Sequence, residues 1–250
     1  MKRLCLLAAL CLPAVALAQT QAPVTRVGVF TERSQLDRGL ADWTEHTLRI
    51  QRLHAPRRST ELALARTSRF GLNDTQIELS HVTPLSPSLV ATLQLGGSPT
   101  HRVLPRTQVG ASLQAEFAPG WLLHTSVRHT RYDANDVDRL GFMLERYVGD
   151  FSHALEWAPT RALGERSNTF IWRSTWYPAD DRSIGLIASR GEEATEIGGG
   201  AIALADVRAL ALVARWRVSP QWALTGALSR TRQGGFYTRT AVTAGVQRDF

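Results

Sequence analysis

Gln108-Val109-Gly110-Ala111-Ser112-Leu113-Gln114-Ala115-Glu116-Phe117 alternates apolar with polar or small residues over ten positions. Side chains along a strand point to opposite faces at period two, so this stretch has one apolar and one polar face. Two folds use such a strand. In a soluble sandwich the apolar face meets a core, whereas in an outer-membrane barrel it meets lipid and the polar face lines a lumen. Length separates them: ten residues match the ~9 to 11 that a tilted strand needs to cross a bilayer, and exceed the ~5 to 6 usual in soluble strands.

The same pattern recurs along the chain. Trp222, Leu224 and Leu228 stand against Thr225, Ala227 and Ser229, and Val242, Ala244 and Val246 against Thr243, Gly245 and Gln247. Short connections are expected at Thr83 to Pro87, Ala118-Pro119-Gly120, Val148-Gly149-Asp150, Pro178 to Asp181 and Val218-Ser219-Pro220. Longer ones are expected at Ser34 to Ala41, Gly96 to Leu104, Pro159 to Ser167 and Gly191 to Leu204. Tight turns facing the periplasm and longer loops facing outside are the habit of outer-membrane barrels. The count predicts an all-β, up-and-down antiparallel transmembrane barrel of about fourteen strands, with twelve as the alternative. Phe117 with Trp121, Tyr147 with Phe151, Trp176 with Tyr177 and Trp216 with Trp222 flank the short turns, as a periplasmic aromatic girdle would. The last strand runs to Phe250, a terminal aromatic similar to the signal read by the barrel assembly machinery.

The N-terminus reads as a secretory signal peptide. Lys2 and Arg3 precede an apolar run from Leu4 to Leu17, which ends in Ala16-Leu17-Ala18. Cleavage is expected between Ala18 and Gln19, giving a signal at 1–18 and a barrel at 19–250, exported from a Gram-negative cytoplasm into the outer membrane. Both cysteines, Cys5 and Cys11, fall in the removed segment, so no disulfide or thiolate metal site is expected in the mature chain. The formal charge of +7 becomes +5 once Lys2 and Arg3 are removed, leaving 27 basic against 22 acidic residues, and every remaining cation is an arginine. Arginine suits bidentate contact with phosphate or carboxylate, which admits lipopolysaccharide or an acidic polymer as partner. A basic total without a clustered patch does not point to nucleic acid, and none is expected as partner.

Several motifs resemble the YaiO-like outer-membrane β-barrel family. These are Arg69-Phe70-Gly71 followed by Asp74, Ser126 to Tyr132, and Glu145-Arg146-Tyr147-Val148-Gly149-Asp150-Phe151. The resemblance covers most of the mature chain from Thr60 onward and implies an outer-membrane barrel. Relatives in which such a barrel is joined to helical repeats suggest a link to surface polysaccharide, and this chain has no room for those repeats.

Catalytic and metal chemistry find little support. His124 and Ser126 share one strand face, while Ser80 and His81 face opposite ways and cannot pair directly. The seven histidines lack ligand spacing, and Gly198-Gly199-Gly200 lacks the Lys-Ser/Thr of a phosphate loop, reading instead as an outer loop. No catalytic, cofactor-binding or metal residue is therefore assigned. In this register Arg49, Glu61, Glu78, Glu116, Arg128, Glu145 and Arg173 project into the lumen, forming either a selectivity field or an internal salt-bridge network. His46 and Arg66 fall on the lipid side and should lie near a membrane edge. The expected function is a non-enzymatic envelope protein, either a small pore or an accessory to surface polysaccharide handling. The alternatives are a lipid-modifying or hydrolytic barrel enzyme, and a structural or adhesive barrel acting through its outer loops.

Overall fold

The structure, a computed structural model, describes residues 23–198 and 201–250. The strands are β1 Val24–Leu36, β2 Trp43–Ala55, β3 Arg58–Arg69, β4 Leu72–Ser86, β5 Leu89–Gly97, β6 Thr107–Ala118 and β7 Trp121–Arg131. They continue as β8 Asp136–Val148, β9 Phe151–Ala162, β10 Glu165–Ala179, β11 Arg182–Gly198, β12 Ala201–Arg217, β13 Trp222–Gln233 and β14 Tyr237–Asp249. Each pairs antiparallel with its sequence neighbours, and β1 pairs with β14, closing a barrel of fourteen strands without a free edge. Closure gives each strand a hydrogen-bonding neighbour on both sides across the middle of the wall, as hydrocarbon requires, while the outer ends of β4, β11 and β12 extend beyond one neighbour. The signal peptide and cleavage site lie outside the described residues.

The apolar residues of the alternating pattern are those left exposed. Val109, Leu113, Leu123, Leu155, Leu210, Leu228 and Val242 form the outer surface, which in this fold is the lipid face. Their neighbours one position along line the inside, so the pattern in Gln108–Phe117 was inverted relative to a soluble protein, as a barrel demands. His46 and Arg66 are direct cross-strand partners on the outer surface, close to the outer ends of β2 and β3. There His46 Nδ1 meets Thr31 Oγ1 at 3.1 Å.

Of the four expected long outer loops, those around Ser34–Ala41 and Gly96–Leu104 are present, whereas the other two are mostly strand. The wall runs through Pro159–Ser167 apart from a turn at Leu163-Gly164, and through most of Gly191–Leu204, making β11 and β12 seventeen residues each. At ~3.3 Å per residue these two hairpins are taller than a bilayer crossing needs. Turn chemistry explains why the wall is not interrupted. Leu163 and Gly164 take φ of 56° and 79°, and Phe70 and Gly71 take 51° and 77°, the doubly positive pattern of a two-residue hairpin turn. The Arg69-Phe70-Gly71 motif is thus a tight turn at the outer end. Gly199 and Gly200 lie outside the described residues.

The girdle expectation also needs one correction. Trp121, Trp176, Trp216 and Trp222 face outward near the periplasmic end, but Tyr147 and Tyr177 face the lumen, where their rings stack at 6.2 Å. Each sits one residue out of phase with the lipid-facing set, so the pleat turns it inward.

Candidate functional site in the barrel lumen

The inner face carries charge in rows across strands. One row reads Gly28, Arg49, Ala63, Glu78, Gly96, Gln108; the next reads Gln51, Glu61, Ser80, Gln94, Gly110, Arg128. Small residues separate the long ones, and the space they leave is a polar recess of about 250 Å3 lined by Arg49, Glu61, Glu78, Gln94, Gln108 and Arg128. Four of the seven charges assigned to the lumen from sequence therefore converge on one wall.

Each of those side chains is held loosely. Arg49 lies 3.9 Å from Glu61 and 5.1 Å above the Phe30 ring. Phe30 can occupy the inner wall because its cross-strand neighbour is Gly245, where any side chain would begin 2.2 Å from the ring. Arg128 donates to Gln94 Oε1 at 3.1 Å and forms no ion pair among the described residues. Glu78 packs over Gly96, whose missing side chain makes room for it. The recess thus presents two guanidiniums and two carboxylates with hydrogen-bonding capacity to spare.

The remaining three assigned residues lie elsewhere. Glu116 is at the periplasmic end, accepting the Gly120 backbone N–H at 3.4 Å. Glu145 meets His124 Nε2 at 3.0 Å. Arg173 donates to Glu156 at 2.8 Å, and Arg139 reaches the other Glu156 oxygen at 3.3 Å. The inner charges are therefore arranged in two ways in different places: a satisfied network on β7–β10 and an under-satisfied recess on β2–β7. Ser126 is not hydrogen-bonded to His124, whose Nε2 meets Glu145, and His81 lies on the outer surface against Thr60.

Sequence reasoning missed the outer mouth. The connection at 98–106 folds inward, leaving Val103 and Leu104 only 1% and 4% exposed. Asp74, buried on the inner face of β4, accepts the backbone N–H groups of Val103 and Leu104 at 2.7 and 2.9 Å on one oxygen. Across the mouth, Trp43 packs edge-on against Phe70 and Tyr237 at 5.1 and 5.6 Å, with the Arg69 and Arg239 guanidiniums over its ring. The acidic residue after Arg-Phe-Gly was visible in sequence; the segment it holds, about thirty residues later, was not.

The periplasmic end is built differently. Arg26 Nε and Nη2 grip the Asp249 carboxylate at 2.6 and 2.9 Å across the β1–β14 seam, and Arg217 links Asp249 to Asp181 at 3.0 and 2.6 Å. The Thr25 and Phe250 backbones exchange hydrogen bonds beside this clamp, so the terminal residue is tied into the closing pair.

Among solved structures, the chain resembles the outer membrane protein Omp33 of Acinetobacter baumannii at 9% identity, with a TM-score of 0.53 over 90% of this chain and 99% of that one. An anion-selective porin from Comamonas acidovorans aligns at 9% identity and TM-score 0.48, covering 91% and 99%. The KdgM porin aligns at 13% and 0.47, covering 90% and 99%. At these identities the likeness concerns the fold. No match was found among curated proteins. The profile described as "YaiO membrane beta barrel domain" matches residues 24–196, from β1 into β11 and including all three motif regions, and the chain belongs to that family of outer-membrane barrels.

Proposed function

We propose that this barrel is a non-enzymatic outer-membrane pore whose lumen sorts small charged or zwitterionic solutes. The observation that carries the reading is the recess of about 250 Å3, where Arg49 and Arg128 stand beside Glu61 and Glu78. Rings or facing sets of charged side chains tune ion passage when they keep capacity to bind a solute in transit. The β7–β10 wall, with Glu156 shared by Arg139 and Arg173, adjoins that surface as a paired scaffold.

The test is single-channel conductance of the refolded mature protein in a planar bilayer. Discrete current steps are expected, with Arg49→Ala plus Arg128→Ala shifting reversal potentials toward cation preference. Glu61→Gln plus Glu78→Gln should shift them toward anions. A folded, heat-modifiable barrel that passes no current would overturn the pore reading and move the search to the outer face and to partners such as surface polysaccharide.

A further inference from the structure

The outer surface of β11–β13 carries a row of like charges. Arg190, Arg208 and Arg232 are direct cross-strand partners, Arg190 opposite Arg208 and Arg208 opposite Arg232. Like charges placed opposite one another in a sheet are destabilising, so an uncompensated row calls for a counter-charge. Among the described residues none is in contact: these three arginines make no ion pair and stack on no aromatic ring, and all are exposed. Glu192 and Asp206 face each other one row further out and form no ion pair with them. Several other outward cations near the outer end have acidic neighbours, Arg33 with Asp42 and His129 with Asp138 at 3.3 and 2.7 Å, and Arg161 opposite Asp138, whereas His46 and Arg66 face each other as a single pair rather than a row of three.

Height fixes what the row meets. Arg182 and Trp216 are paired at the periplasmic rim, and Arg190 and Arg208 are paired eight residues further along the same two strands. Eight residues at ~3.3 Å and a tilt of ~40° rise roughly 20 Å, close to the ~25 Å apolar band of such barrels. Leu186, Leu212, Leu228 and Val242 fill the belt below, and Leu210 and Arg230 lie in the row between. A hollow of about 570 Å3 beside them is lined by Arg38, Arg208, Arg230 and Arg232, with Leu210 at its apolar side. Asp37 also borders it, with Oδ1 engaged by the Thr238 backbone N–H at 2.7 Å.

We propose that this surface is a binding site for a phosphorylated glycolipid of the outer leaflet, with the arginine row taking its phosphates and the leucine belt its acyl chains. Planar guanidiniums bind phosphate bidentately, and the boundary between the row and the belt reproduces that between headgroup and hydrocarbon. The site is independent of the lumen, so it stands whether or not the barrel conducts.

Native mass spectrometry of the refolded protein in detergent, titrated with bisphosphorylated lipid A, tests it. The wild type is expected to retain lipid A, and an Arg190→Gln, Arg208→Gln, Arg232→Gln variant to bind it about tenfold more weakly or worse, a decade being the size of one charge-assisted hydrogen bond. Dephosphorylated lipid A should bind as poorly to the wild type, and inorganic phosphate alone should not be retained. Single Arg208→Gln, at the centre of the row, gives a milder loss if the triple variant does not fold, and heat-modifiability reports folding of both. Arg146→Gln at the periplasmic rim should leave binding unchanged. Equal retention by wild type and the arginine variants, equal retention of the dephosphorylated lipid, or binding of inorganic phosphate in place of lipid would each overturn the proposal.

Discussion

The two rims of the barrel use the same side chain in opposite ways. At the periplasmic rim, outward arginines sit opposite tryptophans: Arg146 over Trp121 at 4.6 Å, Arg182 over Trp216 at 4.9 Å, and Arg248 over Trp222 at 5.3 Å. Each pair is a direct cross-strand neighbour, so the cation is satisfied within the sheet. At the outer rim of β11–β13 the cross-strand neighbour of an arginine is another arginine. The inner surfaces differ too. The periplasmic end is clamped by Arg26, Arg217, Asp181 and Asp249, and the outer mouth is covered by a loop hung on one carboxylate and an aromatic cluster. A periplasmic rim whose arginines stack on their own tryptophans and an outer β11–β13 edge whose arginines face one another are what the proposed lipid site would lead one to expect in an asymmetric membrane.

The largest way to break that contrast is at the mouth. Asp74→Ala strips two buried backbone N–H groups of a charged acceptor, which should lower stability by about 3 kcal/mol. It should also release Val103 and Leu104 and enlarge the conductance step. Urea unfolding followed by tryptophan fluorescence and bilayer recordings check the two effects; a variant with unchanged conductance would mean that the 98–106 segment does not narrow the path.

A smaller test compares the rims directly. Arg182→Gln should cost roughly 0.5 to 1 kcal/mol through the lost ring contact. In lipid-free detergent Arg208→Gln should cost nothing or stabilise slightly, because it relieves like-charge repulsion. Equal losses in the same unfolding assay would show that the outer row is satisfied by the protein after all.

The smallest effect is electrostatic and lies in the β1–β2 connection. The Thr238 backbone N–H bound to Asp37 holds its carboxyl below the usual carboxylate range, with Arg38 and Arg230 adding to the effect. A depressed folded-state value means the contribution is complete above the ordinary value of about 4 and is lost as pH falls through the folded one. Unfolding midpoints taken from about pH 5 to pH 2 should therefore decline less steeply in Asp37→Asn than in the wild type. Parallel curves would remove Asp37 from the account.

The alternation of Gln108–Phe117 told which face of each strand meets lipid, because period two is a property of a single strand and needs no partner. For the same reason the inward placement of Arg49, Glu61, Glu78 and Arg128 and the lipid-side placement of His46 were legible residue by residue. Loop lengths were legible only in part: Ser34–Ala41 and Gly96–Leu104 do contain loops, but a polar stretch such as Pro159–Ser167 resembles a loop until a two-residue turn at Leu163-Gly164 lets it pair. Tyr147 and Tyr177 were misplaced because nearness to a turn says nothing about phase within the pleat.

By itself the sequence determined the barrel, its approximate strand number and the chemistry of its two surfaces, since length, alternation and turn residues are local quantities. Only the tertiary structure decided which charges meet. Arg49 shares a recess with Arg128, Asp74 holds a segment about thirty residues away, and Arg190, Arg208 and Arg232 fall into one row. Those meetings depend on the register of each hairpin and on closure of β1 against β14, and register is settled by pairing between strands that no single strand contains.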